Sequence, residues 1–361
     1  MSIVEIDEAV GSLPMEEKVL FSRIFDVRTM IGRLQIPKPL TGWIEGRFGS
    51  VGVVEEQKIV KLTNLITMEG SLFNALRAKR PMEVSEASEL DEIVKGTQND
   101  QFCRPSENTP EDIFGRITGR SCVTASNVAK YDGFHGIVVF SEHNPLAFTE
   151  VDIADRMDAA FSWADRAHQI DEEFKYFFIM WNCLWRSGAS IVHGHMQMTL
   201  SSGIHYAKVE GLRRAAKAYE MSFGSNYFDD LYRIHEKLGI GFDVGGTRIM
   251  AYLTPIKEKE VFIISGNLDQ SFKSRFYEVL RCFIAKMGVT NFNAAIYMPP
   301  IAMNVGDKAD WAGFPVLARV VDRGDIKSRT CDIGAMELYA NSVISADPFW
   351  VASTLKSDII S

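Results

Sequence analysis

Between Val192 and Leu200 the chain reads Val-His-Gly-His-Met-Gln-Met-Thr-Leu. Side chains alternate across a β-strand, so His193, His195 and Gln197 share one face while Met196, Met198 and Leu200 share the other. The segment is thereby restricted to a strand with an apolar back turned to a core and two imidazoles and an amide on its front. Just upstream, KYFFIMWNCLW reads as another strand and RSGAS as a tight turn. A His-x-His pair alone also suits hydrogen-bonded core histidines or two metal ligands.

Around this strand the pattern is one of mixed helices and strands. Apolar residues at Val151, Ala154, Met157, Ala160, Phe161 and Ala164 have helical spacing over 149–170, with Thr149 and Asp152 as an N-terminal cap. Helices are predicted at Pro14 to Phe25, 206–222, 226–238, 270–287 and 347–356. Strands are predicted in KIVKLTNLITM, GIVVFSEHNPL, IMAYLTPI, EVFIISG, FNAAIYMPP and VLARVVDRG. The acidic stretch Glu83 to Asp100 reads as an exposed loop. Adjacent strands separated by helices favour an α+β fold with antiparallel sheets flanked by helices. A length of 361 residues fits two domains, with 1–60 as an N-terminal extension, 61–205 holding the histidine strand and 206–361 following.

The charge balance narrows the partners. Lys plus Arg number 39 against 47 Asp plus Glu, a net charge of -8, which argues against a nucleic-acid polymer or an anionic membrane surface. The most apolar stretch, Phe174 to Trp185, is too short to span a bilayer, which needs about 20 residues. Five irregularly spaced cysteines, with no C-x-x-C, suit a reduced, cytoplasmic protein.

The residues Asn182, Gly188, Ser190, His193, His195 and Gln197 together resemble the active-site segment of the galactose-1-phosphate uridylyltransferase branch of the histidine-triad superfamily. That branch has Asn, Gly and Ser before His-Pro-His-x-Gln; the departure here is Gly194 in place of proline. Arg77-Ala-Lys79-Arg80-Pro81 is similar to the family's R-x-K-R-P element, whose arginines contact nucleotide phosphates, and planar guanidinium forks suit that task. The resemblance implies tandem histidine-triad-like domains. It puts Asn127 near a nucleoside ribose and makes Glu337 the counterpart of a glutamate that reaches the sugar. The family's C-x-x-C falls on Asp100-Gln-Phe-Cys103, so Asp100, Cys103, His143 and His193 form a candidate four-ligand zinc site, carboxylate being a permitted ligand.

What the resemblance implies chemically is nucleotidyl transfer. A neutral imidazole is a nucleophile near pH 7, and His195 would attack the α-phosphorus of a nucleotide to form a covalent nucleotidyl-histidine. The backbone carbonyl near His193 would orient the ring, and Ser190 and Gln197 would donate hydrogen bonds to phosphate oxygens. Glutamine at 197, where hydrolase branches carry a third histidine, favours transfer to phosphate over transfer to water. The expected partners are a nucleotide sugar or dinucleotide and a phosphate-bearing acceptor, with a homodimer as candidate assembly. A phosphorylase would use the same residues. A binding protein without turnover is the reading from another class. The loop Ile240-Gly-Phe-Asp-Val-Gly-Gly-Thr247 is similar to a sugar-kinase phosphate loop, but too little chain follows it for that architecture, and a hairpin turn is expected.

Overall fold

The computed structural model describes residues 1–79, 89–328 and 331–360. Its strands are β1 (Phe25–Arg33), β2 (Glu56–Asn64), β3 (Gly70–Phe73), β4 (Cys122–Ser126), β5 (Phe134–Phe140), β6 (Phe174–Cys183), β7 (His195–Ser202), β8 (Gly241–Val244), β9 (Thr247–Ala251), β10 (Glu258–Ser265), β11 (Phe292–Tyr297), β12 (Val316–Asp322) and β13 (Ser342–Ile344). Nine of them make one sheet in the order β4-β5-β7-β6-β11-β12-β10-β9-β8, with antiparallel neighbours throughout. The fold is α+β.

The large sheet repeats about its middle. Outward from the β6–β11 junction, one side runs β6-β7-β5-β4 and the other β11-β12-β10-β9. In each half a hairpin is followed by a long helix, Glu150–Ile170 or Gln270–Ala285, and then by the two inner strands. Met180 pairs with Ala295 at the junction. Both helices lie against one face and close a common core containing Met157, Trp163, Phe177, Phe276 and Phe283. Helix Glu150–Ile170 begins with the expected capping box, Thr149 and Asp152 bonding each other's backbone.

Residues before 60 take part in the packing. Ile6, Leu20, Phe21 and Ile24 are buried in the same core, and β1 pairs along β2, itself continuous from 56 to 64. With β3 and a parallel β13 they form a four-stranded sheet. The reading of Glu83 to Asp100 as a loop is corrected over its second half: Glu89–Gly96 is a helix, because Leu90 and Val94, four apart, turn to one side and pack inward. The glycine-rich motif is the hairpin between β8 and β9. Gly245 and Gly246 have φ of +65° and +82°, and Asp243 accepts the Gly246 N–H. Two successive positive φ angles make the two-residue hairpin turn that glycine permits. No helix among the described residues is long and apolar enough to cross a membrane.

Candidate active site

His195 opens β7, and His193 lies just ahead of it in the connecting loop. Both rings stand edge-on to Phe102, at 5.2 Å for His195 and 6.0 Å for His193. His195 is only 6% exposed, and its Nδ1 lies 2.8 Å from the His193 carbonyl oxygen. A carbonyl only accepts, so Nδ1 carries the proton and Nε2 the lone pair. Burial holds the His195 imidazole below its ordinary pKa, partly opposed by that hydrogen bond. The ring is therefore neutral at pH 7.

Gln197 is on the same strand face and is fixed from β5. Its Oε1 lies 3.0 Å from His135 Nε2 and accepts from the Tyr131 hydroxyl at 3.1 Å. With the carbonyl end occupied, the amide N–H pair is left for a ligand. Asn127 Nδ2 is 3.1 Å from the same His135 nitrogen, which in donating to Gln197 cannot also accept from Asn127, so Asn127 is a neighbour of this pair and not bonded through it. Sequence reasoning missed His135 and Tyr131; a histidine second in the strand that pairs with the histidine strand, Thr199 opposite His135, was the available signal.

Asn182 sits on β6, where its Oδ1 accepts from Asn293 Nδ2 at 2.7 Å. Gly188, at φ +101°, turns the chain in a left-handed conformation that a side chain would strain. Ser190 is exposed in the loop that follows. Asn293 in turn accepts from Arg323 Nη1 at 2.5 Å, and Arg323 holds Asp332 through two nitrogens. Arg323 lines a cavity of about 270 Å³ with Arg77, Lys257 and Glu337. Arg77 and Glu337 are thus brought to one cavity, at the Asp322 end of β12, which is three strands from β7 in the sheet order. Arg80 lies outside the described residues.

The four proposed metal ligands converge. Asp100, Cys103, His143 and His193 each offer an atom within 4.8 Å of the others. His193 Nε2 is 2.8 Å from the Phe140 carbonyl and His143 Nε2 is 3.0 Å from the Val94 carbonyl, so both Nδ1 atoms carry lone pairs. Those two lone pairs face each other at 3.0 Å, with Cys103 Sγ 3.5 Å from each. Asp100 Oδ1 is 3.3 Å from His193 Nδ1, and its buried Oδ2 has no partner among the described residues. Facing lone pairs repel unless a cation lies between them. Four ligands at about 2.0–2.3 Å from zinc would be spaced about 3.3–3.8 Å apart; the 3.3 and 3.5 Å spacings match this, and the 3.0 Å pair and the 4.8 Å outer limit call for small shifts to close on a tetrahedral ion. Both outer ring nitrogens are already tied to carbonyls, as metal-ligating histidines require.

No family model matches the sequence, and no curated protein is similar to it in sequence. Solved structures are similar in fold. ADP-glucose phosphorylase from Arabidopsis thaliana, with bound ADP-glucose, matches at TM-score 0.61 and 15% identity, over 82% of this chain and 97% of that one. A GALT-like protein from Arabidopsis thaliana matches at 0.61 and 14%, over 83% and 99%. A uridylyltransferase matches at 0.57 and 13%, over 82% and 97%. The chain therefore shares its fold with these solved structures.

Proposed function

We propose that this chain is a nucleotidyltransferase that moves a nucleoside monophosphate from a nucleotide sugar to a sugar 1-phosphate through His195. The Nε2 lone pair attacks the α-phosphorus, an N–P bond forms, and the bond to the bridging oxygen breaks. The departing phosphate keeps that electron pair. In the second half, a phosphate oxygen of the acceptor attacks the same phosphorus and the N–P bond breaks. The observation that carries this reading is the His193 carbonyl 2.8 Å from His195 Nδ1, which leaves Nε2 as the nucleophile and takes up the positive charge of the N-phosphorylated ring.

Each neighbour has a task in this reading. Gln197 donates its amide N–H to a phosphate oxygen, and an amide cannot deliver a proton, so the leaving group must be a phosphate that departs as an anion. Ser190 adds a second donor. Asn127 and His135 lie on the ribose side. In this reading Arg77 and Arg80, from one sequence motif, offset charge on the substrate phosphates, and Glu337 faces the sugar hydroxyls. Residues 61–205 form the catalytic half, 206–361 the second half, and 1–60 an added N-terminal part. Zinc held by Asp100, Cys103, His143 and His193 would supply a fixed charge that locks the loop presenting His193. Five free cysteines fit a cytoplasmic setting.

The fold shared with an ADP-glucose phosphorylase supports a second reading, with inorganic phosphate as acceptor. The test is intact mass after incubation with nucleoside diphosphate sugars and dinucleotides at mildly basic pH. A one-nucleotide adduct absent from His195→Asn is expected; no adduct with any donor would overturn the proposal in favour of a binding protein. Chasing the adduct with sugar 1-phosphate or inorganic phosphate separates transferase from phosphorylase.

A further inference from the structure

A second cavity, of about 670 Å³, opens on the same sheet face beyond β6. Its location follows from the internal repeat. Gln197 pairs with Met180, Met180 with Ala295, and Ala295 with Arg319. Directly paired residues lie on one face, so Gln197 and Arg319 occupy corresponding places in the two halves. His135 holds Gln197 from β5; correspondingly, Glu260 holds Arg319 from β10, with Nε to Oε1 at 2.6 Å. Two residues before these positions, β7 carries His195 and β12 carries Leu317. The second half has the pocket without the nucleophile.

The chemistry of the walls selects a ligand. Phe178, Tyr252, Phe262, Tyr297, Leu212 and Ile256 make them largely aromatic and apolar, and the volume is that of a small-molecule site. Tyr252 stacks on Phe262 at 4.1 Å, and the Arg319 guanidinium lies 4.6 Å from the Phe262 ring centroid. Arg319 also reaches Glu69 at 2.7 Å. Glu69 and Glu260 thus balance Arg319 and the exposed Lys208, leaving no surplus positive charge for a phosphate. A hexose would bury hydroxyls against apolar walls at a cost for each unmade hydrogen bond. A buried donor remains: Arg319 Nη2 has no hydrogen-bond partner among the described residues.

We infer that this cavity is a non-catalytic binding site for an uncharged heteroaromatic ring of the nucleobase type, with Arg319 Nη2 donating to an acceptor on the ring edge and the aromatic walls taking its faces. The site goes beyond the transfer reaction and does not depend on His195 turning over. Met180, in its wall, is the direct β6 neighbour of Gln197, so the ring has two available sources: the far end of a dinucleotide substrate, or a separate nucleoside.

The test uses adenosine and uridine, which carry no phosphate, in titration calorimetry on the full chain. Ala295→Phe from the floor and Leu212→Trp from the helix Ala207–Phe223 fill the cavity while keeping Arg319, Glu69 and Glu260 in place; Leu212→Trp, away from the strand pair of Arg319, guards against a local effect of the first variant. At least one nucleoside should bind wild type and His195→Asn equally and lose affinity 10-fold or more in both filled variants. No binding up to millimolar concentration, or binding unchanged by filling, would overturn the inference. In turnover, a kcat/KM loss in Ala295→Phe confined to dinucleotide donors assigns the ring to the substrate. Unchanged turnover with lost nucleoside binding assigns it to a separate nucleoside. Nucleoside binding without any His195 adduct would remove the transfer reaction and leave this site standing; an adduct without nucleoside binding would do the reverse.

Discussion

A Cβ built on Gly194 would fall 2.4 Å from Cδ2 of Phe140. Phe140 is the residue whose carbonyl accepts the His193 Nε2–H, and the Arg156 guanidinium lies 3.6 Å from its ring centroid on the helix side. The ring therefore fills the space that any side chain at 194 would need between the two histidines. Gly194→Ala should push Phe140 outward and misplace the His193 ring. We expect a loss of about 1–3 kcal/mol in urea unfolding, with turnover falling further than stability alone explains; an unchanged midpoint would show that Phe140 yields freely.

The His135–Gln197 contact at 3.0 Å makes a prediction about kcat. His135→Ala frees the glutamine carbonyl and lets the amide rotate, so kcat should fall roughly 10–100-fold, by analogy with second partners that orient reacting groups. Tyr131→Phe removes only one of two hydrogen bonds to Oε1 and should cost about 1 kcal/mol, near fivefold. Equal effects of the two variants, or effects on KM alone, would argue against orientation of Gln197.

Removal of a metal should be visible without any activity measurement. The purified chain is expected to carry about one zinc by elemental analysis. Cys103→Ser and His143→Ala should lower that content, and chelation should lower the melting temperature. The Val94 carbonyl of the helix Glu89–Gly96 accepts from His143 Nε2–H, so this helix should lose amide protection on chelation. A chain that binds no zinc while keeping this protection would mean that the cluster is held by hydrogen bonds alone.

Much of the site was legible because strand periodicity is local. His195 and Gln197 fall on one face of β7 as alternation requires, whereas the four candidate metal ligands followed from the resemblance and are brought together by the fold. The rest depended on long-range pairing. Nothing local in Ala75–Lys79 says that Arg77 lines one cavity with Glu337, 260 positions later, near the β3–β13 edge. The aromatic cavity is likewise invisible in sequence, since Phe178, Tyr252, Phe262 and Tyr297 come from separate strands and the connection after β9. The helix at Glu89 was obscured by its acidic composition, which masked the inward spacing of Leu90 and Val94.

Two histidines away from the site set the acid limit of the fold. His235 is fully buried; its Nδ1–H donates to the Leu231 carbonyl at 2.7 Å and its Nε2 accepts the Leu253 N–H at 3.2 Å. His205 Nδ1 accepts the Tyr206 N–H at 2.7 Å within an aromatic surround. Burial lowers both to about 4. Below the unfolded value near 6.5 the unfolded chain takes up protons that the folded chain refuses, so stability is full above pH 6.5 and falls toward pH 4. From pH 7 to 5 each should remove about 2 kcal/mol, at about 1.4 kcal/mol per unit, and burial of His193 and His195 acts in the same direction. The urea midpoint should drop accordingly across a window lying above the carboxylate range. Imidazole carbon shifts of His205 and His235 should stay in the neutral form throughout; either ring titrating near 6.5 in the folded protein would sink this account.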